Sequence, residues 1–362
     1  MDAALAHLVD RVRAAAAART PLRIRGGGSK DFYGEPPRGE LLDTTAWRGI
    51  VSYEPSELVV TVRAGTPLAE LEQLLAAHGQ SLPFEPPHFG AGATVGGMVA
   101  AGLSGPARAS VGAVRDYVLG LNLVNGRGEA LVFGGQVMKN VAGYDVSRLM
   151  VGALGTLGLI TEVSLKVLPV APAEATLRFD LTQEQALRSL HAWGGQPLPL
   201  NASRWLEVDG TGTLWLRLRG AVAAVEAACR KLGGQAVDPQ QAQAEWAACR
   251  EQRLPWFTAL EGLDLWRLSL PQTAPVLALP EPPLVEWHGA QRWVRLAPEQ
   301  GAAVRAAAVR AGGHATLFRS HQPDAAQRQT PLAPALDAIQ QRLKQQFDPA
   351  AIFNPGRLYP HF

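Results

Sequence analysis

Cysteine is almost absent: Cys229 and Cys249 are the only two, each in an Ala-Ala-Cys-Arg setting. That spacing excludes a CxxC redox pair. Two thiols also cannot supply the four ligands of an iron–sulfur cluster. The expected role of both is packing. Charge of one sign is lacking as well, since 34 basic residues face 32 acidic ones for a net +2. Such a balance gives no electrostatic footprint for nucleic acid or an anionic membrane. No apolar run is long enough to span a bilayer, and no basic segment followed by an apolar core opens the chain as a signal peptide would. The expected setting is therefore cytoplasmic, with cysteines kept reduced. What remains, 47% apolar and 18% charged in 362 residues, is an ordinary globular composition with room for two cores.

Glycine is where the chain departs from the ordinary. Arg25-Gly26-Gly27-Gly28-Ser29-Lys30 follows the short run Leu22-Arg23-Ile24, and Gly90-Ala91-Gly92-Ala93-Thr94-Val95-Gly96-Gly97 leads into Met98-Val99-Ala100. Glycine admits positive φ and close backbone approach, so successive N–H groups can form a concave, positively polarised nest for phosphate oxygens. Two such loops could grip a diphosphate from opposite sides, which points to a dinucleotide.

Residues 2–19 carry Leu5, Leu8, Val9 and Val12 at helical spacing, and Thr20-Pro21 ends that helix. Residues 51–62 read as two strands around Glu54-Pro55-Ser56. Thr66 is expected to cap a helix with Leu68, Leu71, Leu74 and Leu75 inward, closed near Gly79. Asn125-Gly126 between apolar runs signals a hairpin. Asp145 caps a short helix, Gly155-Thr156-Leu157-Gly158 breaks it, and residues 159–167 form a strand with Leu159, Val163, Leu165 and Val167 on one face. Pro169-Val170-Ala171-Pro172 marks a boundary. Beyond it, antiparallel strands alternate with helices, including a capping box at Thr182 and Gln185 and one long strand over 285–296. This is α+β grammar, with two ferredoxin-like halves expected. All tryptophans but Trp47 fall there and are expected to pack its core. A last helix near 334–347 is expected to turn Leu336, Ile339, Leu343 and Phe347 inward, ahead of Phe353-Asn354-Pro355-Gly356.

The order of these pieces resembles the FAD-binding domain of the vanillyl-alcohol-oxidase, or PCMH, type. The two glycine loops, Gly105-Pro106-Ala107-Arg108 with Arg115-Asp116, Lys139-Asn140-Val141-Ala142-Gly143-Tyr144-Asp145, Gly155-Thr156-Leu157-Gly158 and the terminal Asn354-Pro355-Gly356 carry the likeness. More narrowly, residues 134–148 are similar to the E subunits of bacterial glycolate oxidases (glycolate dehydrogenases). The fold this implies is a two-subdomain FAD domain over 1–170, an antiparallel-sheet cap over 171–325, and a tail over 326–362 returning to the FAD domain. The cap would meet substrate or another subunit. The resemblance assigns Arg25, Gly26, Gly27, Gly28, Ser29 and Lys30 to the FAD diphosphate. It assigns Gly92, Thr94, Gly96, Gly97, Gly105 and Arg108 to its flanks, Ile160 and Glu162 to the adenine side, and Asn354 to the flavin. Some members attach FAD covalently through a histidine in the first loop. Residues 25–30 hold none, so non-covalent FAD is expected.

Catalytic relatives carry a His-x-Gly-Asp-Gly-Asn type motif linked to metal and substrate. Here the nearest stretch is Gly312-Gly313-His314-Ala315-Thr316, without the Asp and Asn. His314 is the candidate base, with His288 and His321 behind it, and no metal site is expected. The resemblance implies oxidation of glycolate or D-lactate, small 2-hydroxy acids, with a homologous catalytic flavin subunit and an iron–sulfur subunit as partners. Through these the chain could sit at the inner face of the membrane. A self-sufficient FAD oxidoreductase and a non-catalytic assembly subunit are the alternatives.

Overall fold

The computed structural model describes residues 2–135, 145–322, 325 and 327–362. Of the motifs above, residues 136–144 lie outside these. The chain divides into two units, one of residues 1–103, 113–169 and 323–362, the other of 104–112 and 170–322.

The first unit contains two subdomains. In the smaller, strands β1 (Leu22–Arg25) and β2 (Glu40–Asp43) pair in parallel. The helix Ala3–Ala18 covers them with Leu8, Val9 and Val12, against Leu22, Leu42 and Trp47. The tail closes this layer. Phe353 bridges Leu22, whose N–H donates to Ile352 O at 2.6 Å and whose carbonyl accepts from Asn354 N at 2.9 Å.

The larger subdomain is a five-stranded antiparallel sheet. Its strands are β3 (Ile50–Glu54), β4 (Val59–Arg63), β6 (Val118–Val124), β7 (Ala130–Gly134) and β8 (Leu159–Lys166). They lie in the order β3-β4-β8-β6-β7. The short strands β5 (Gln80–Ser81) and β9 (Leu168–Pro169) pair beside it. The helices Leu68–Ala77 and Val95–Ala101 contribute Leu68, Leu71, Leu75, Met98 and Val99 to its core. Thr66 does not cap the first of these: Pro67 takes that place, and Thr66 Oγ1 accepts from Gly49 N at 2.9 Å. The face of β8 also differs from the alternation expected. The register against β6 slips between Asn122 and Leu123, so one strand carries an extra residue there. Ile160 thereby joins Val163, Leu165 and Val167 in the main core, while Leu159 packs into the smaller one.

In the second unit an eight-stranded antiparallel sheet holds β10 (Ala173–Asp180), β11 (Leu200–Val208), β12 (Thr211–Gly220), β13 (Gln235–Ala236), β14 (Asp264–Ser269), β15 (Leu284–Glu286), β16 (Gln291–Leu296) and β17 (His314–Arg319). Their order is β13-β10-β12-β11-β15-β16-β14-β17. The left half is a complete βαββαβ motif, with crossover helices Gln183–Gly194 and Val222–Leu232. The right half repeats its strand order, keeps the helix Gly301–Arg310, and replaces the other crossover helix by the proline-rich stretch 270–283. The two ferredoxin-like halves join through β11 and β15. The capping box at Thr182 and Gln185 forms in full. The long strand expected over 285–296 is broken instead. Trp287 and His288 both adopt left-handed φ, 53° and 55°, between β15 and β16.

The helix Pro334–Phe347 shows where periodicity misleads. Leu343 and Phe347 pack on the main core, but Leu336 and Ile339 are exposed. The helix is anchored near its end by a buried charge pair. Lys344 Nζ donates to Asp348 Oδ2 at 2.8 Å, to Thr156 O at 2.7 Å and to Phe353 O at 2.8 Å. Asp348 also accepts from Ile352 N and Phe353 N. Replacing Lys344 by Ala would strand a buried carboxylate, at a cost of about 3–5 kcal/mol. Urea unfolding should show that loss, and a change below about 1 kcal/mol would refute this anchoring role.

Candidate functional site

The site begins at the end of β1. The chain there turns through Gly26, Gly27 and Gly28 and runs against the second glycine loop, backbone to backbone. A Cβ on Gly27 would lie 1.4 Å from Gly92 O, and one on Gly26 2.3 Å from Thr94 Oγ1. Gly28 has φ +72°, a conformation that other residues rarely adopt. The second loop cannot retreat, because it is tied to the segment behind it. Ala93 O accepts from Leu68 N, Val95 N donates to Thr66 O, and Gly96 N donates to Ala64 O.

A cleft opens along this contact. It is lined by Arg23, Ile24, residues 25–31, Pro37, Thr94, Gly97, Ala100, Ala101, Leu154, Asn354 and Arg357. Among the described residues, no protein acceptor meets the N–H groups of Gly26, Gly27, Gly28 or Ser29. Four consecutive amides without partners beside a cleft form the donor set that suits an anion such as a diphosphate. Gly26 and Gly27 let the two loops touch, since a Cβ on either would run into Thr94 or Gly92, and so keep the first loop's backbone bare beside the cleft.

The side chains around the cradle are largely committed to shaping it. Arg25 Nε pairs with Asp31 Oδ2 at 2.7 Å. Lys30 Nζ donates to His88 O at 3.1 Å and sits 5.8 Å from the centre of the Phe89 ring. Buried Arg357 donates to the carbonyls of Glu35 and Asp31, the latter at 2.8 Å. Burial pulls Arg357 down from its usual value to about 10, against the raising effect of Asp31 and Glu35 and with smaller help from Arg328 and Arg23. Asn354 accepts from Ile24 N through Oδ1 at 2.7 Å and donates from Nδ2 to Leu154 O at 2.6 Å. It thereby staples β1 to the loop before Gly155.

Of the residues expected at the cofactor, Arg25, Gly26, Gly27, Gly28, Ser29, Lys30, Thr94, Gly97 and Asn354 line this one cleft. Gly92 does not line the cleft and touches Gly27 from behind through its backbone. Gly96 is placed otherwise: its N–H is spent on Ala64 O, and a Cβ there would lie 2.7 Å from the Ala64 Cβ, so it is a close-packing glycine. Ile160 lies in the main core, and Glu162 accepts from Asn122 Nδ2 at 2.8 Å, so neither lines the cleft. Gly105 and Arg108 belong to the second unit. There Gly105 O accepts from Trp287 Nε1 at 3.0 Å, and the Arg108 guanidinium lies 4.5 Å from the centre of the Trp287 ring. Sequence reasoning missed Arg23, Ile24, Asp31, Pro37, Ala100, Ala101, Leu154 and Arg357, several of them directly beside motif residues that were singled out.

The second unit holds the candidate bases. His314 opens β17, an edge strand, with an exposed side chain; its pKa is lowered by partial burial and then by Arg267. His321 Nδ1 lies 3.0 Å from Asp264 Oδ1. His288 Nε2 and Ser110 Oγ share a hydrogen bond of 3.0 Å. A cleft of about 720 Å³ lies between Thr182–His191 and Gln272–Val276, and it includes none of these three. Among the described residues, no three metal-ligating side chains cluster. Cys249 is buried and donates to Glu286 Oε1 at 3.2 Å, a packing role.

Burial lowers the His288 pKa from 6.5 to about 4, so the ring is neutral at pH 7. The unfolded chain therefore binds the proton first as pH falls. Stability should drop by up to about 3 kcal/mol as the pH falls from 6.5 to 4. His288→Asn, which tolerates the left-handed backbone, should flatten that slope in chemical-denaturation curves. An unchanged acid slope would contradict the neutral buried ring.

Residues 4–134 match the family described as FAD binding domain. Over 352 residues, 97% of this chain and 96% of the relative, the sequence is 47% identical to the glycolate oxidase subunit GlcE of Escherichia coli (strain K12). It is 28% identical over 272 residues to the glycolate oxidase subunit GlcD of Bacillus subtilis (strain 168), covering 68% of this chain and 57% of that one. A D-lactate dehydrogenase of Archaeoglobus fulgidus is 30% identical over 227 residues, 58% of this chain and 51% of its own. A solved structure of alkyldihydroxyacetonephosphate synthase superposes over 96% of this chain and 74% of its own, with a TM-score of 0.65 at 16% identity, and so shares the fold. Near-complete coverage of both sequences by the first of these, together with the FAD domain, establishes that this chain belongs to the family of glycolate oxidase E subunits, FAD-binding oxidoreductase components.

Proposed function

We propose that this chain is the FAD-holding accessory subunit of a complex that oxidises glycolate to glyoxylate. A homologous catalytic flavin subunit and an iron–sulfur subunit are its partners. The observation that carries the reading is the run of four amides, Gly26 to Ser29, that meet no acceptor among the described residues, beside a glycine-rich cleft. FAD supplies the two-electron redox chemistry when bound. The residues of this chain supply position: the amides take the diphosphate oxygens, Thr94 and Gly97 line the same cleft, and Asn354 and Arg357 hold the backbone around it.

The same reading explains the missing histidine–aspartate–asparagine motif. His314 is exposed on an edge strand and does not line the cleft of about 720 Å³ in its unit, and His288, neutral down to about pH 4, is a weak base. Substrate oxidation belongs to the partner flavin subunit. The two cysteines leave the iron–sulfur centres to a third chain. Attachment of FAD is non-covalent, since residues 25–31 offer no histidine or cysteine. Among the described residues, no helix is long and apolar enough to cross a membrane. The proposed setting is the cytoplasm, with any membrane contact made by the partners.

Two measurements test this. The isolated chain should carry FAD that acid releases, yet leave it oxidised when glycolate is added without oxygen, while the reconstituted complex turns over. Full turnover of glycolate by the isolated chain would overturn the accessory role. Gly27→Ala should abolish flavin binding, because its Cβ falls on the Gly92 carbonyl and forces the loops apart. Flavin content equal to that of the parent protein would contradict the cradle.

A further inference from the structure

Four cations line the cleft: Arg23, Arg25, Lys30 and Arg357. Three are already engaged. Arg25 is paired with Asp31, Lys30 reaches the His88 carbonyl, and Arg357 is spent on main-chain carbonyls. Arg23 differs. Among the described residues its guanidinium makes no hydrogen bond or ion pair, and its Nε is buried without an acceptor. It also stands near a second buried guanidinium, since the positive charge of Arg23 is among the lesser influences lowering Arg357. An arginine held beside another arginine, partly out of water and without an anion, costs stability unless something outside the protein neutralises it.

We infer that Arg23 is a binding residue for the FAD diphosphate, supplying the countercharge that the amides of Gly26 to Ser29 lack. This rests on the FAD-subunit reading above. The physical reason is one of charge. Backbone amides offer oriented partial charges, whereas a diphosphate brings full negative charge that a guanidinium can meet through several N–H donors. Strand geometry puts the residue in place. Arg23 follows Leu22, which is buried in the small core, so alternation along β1 sends the next side chain to the other face, where it lines the cleft.

The assignment separates a ligand-binding arginine from a structural one. Arg23→Gln removes the charge and relieves the repulsion with Arg357. The apoprotein should therefore melt at the same temperature or higher, as happens when a functional residue is removed. FAD affinity, read by fluorescence quenching, should weaken about tenfold or more. Arg23→Lys should keep part of that affinity. The salt dependence of FAD binding should become shallower in Arg23→Gln than in the parent. Riboflavin, which lacks the diphosphate, should bind the parent and Arg23→Gln alike. FAD affinity of Arg23→Gln within about twofold of the parent, or an equal loss of riboflavin affinity, would overturn the assignment. A parent protein that takes up no FAD would overturn the flavoprotein reading itself, and this assignment with it.

Discussion

Everything at this site depends on two stretches of bare backbone being allowed to touch. Gly27 and Gly92 approach so closely that no side chain fits between them. The first loop there turns through a left-handed residue, Gly28, and among the described residues no protein acceptor meets its four amides. Unpaired backbone N–H groups are costly when water cannot reach them, so the cradle persists only because neighbouring structure holds it. The second loop is fixed by hydrogen bonds to Ala64, Thr66 and Leu68, and the first by the carbonyl-binding guanidinium of Arg357.

Buried cations recur as main-chain clamps in both units. Arg357 gathers the carbonyls that follow the first glycine loop. Lys344 gathers Thr156 and Phe353 with the help of Asp348. In the second unit, fully buried Arg292 donates to Ala274 O and Pro275 O at 2.6 Å each. It thereby fixes the stretch that stands where a crossover helix is missing. Each side chain is long enough to satisfy several irregular carbonyls at once, which regular secondary structure cannot do there. In the first unit the result is a tail bound into β1, with Asn354 bridging that strand and the loop before Gly155.

Much of this was legible in the sequence. Glycine runs, the Asn125-Gly126 hairpin and the Thr182 capping box are local signals, and local signals survive folding. The double ferredoxin-like topology could also be read from the alternation of strands and helices. What sequence could not decide was which of two physical reasons a residue serves. Gly96 looks like an amide donor but is a close-packing glycine against Ala64. Gly105 and Arg108 sit in a motif that local spacing cannot assign to one unit or the other, and they pack on Trp287. Leu336 and Ile339 complete an apolar stripe, yet periodicity names a face and not what covers it. Nothing in the sequence marks Arg23 or Arg357. Only the fold shows one without an acceptor among the described residues and the other buried among carbonyls.

The central claim is that the amides of Gly26, Gly27, Gly28 and Ser29 are donors kept free for a diphosphate. Hydrogen–deuterium exchange over residues 25–30, with and without FAD, tests it most directly. Rapid exchange in the apoprotein followed by strong protection on adding FAD is the result this account predicts. Exchange that stays rapid with the flavin bound, or is already slow without it, would contradict it.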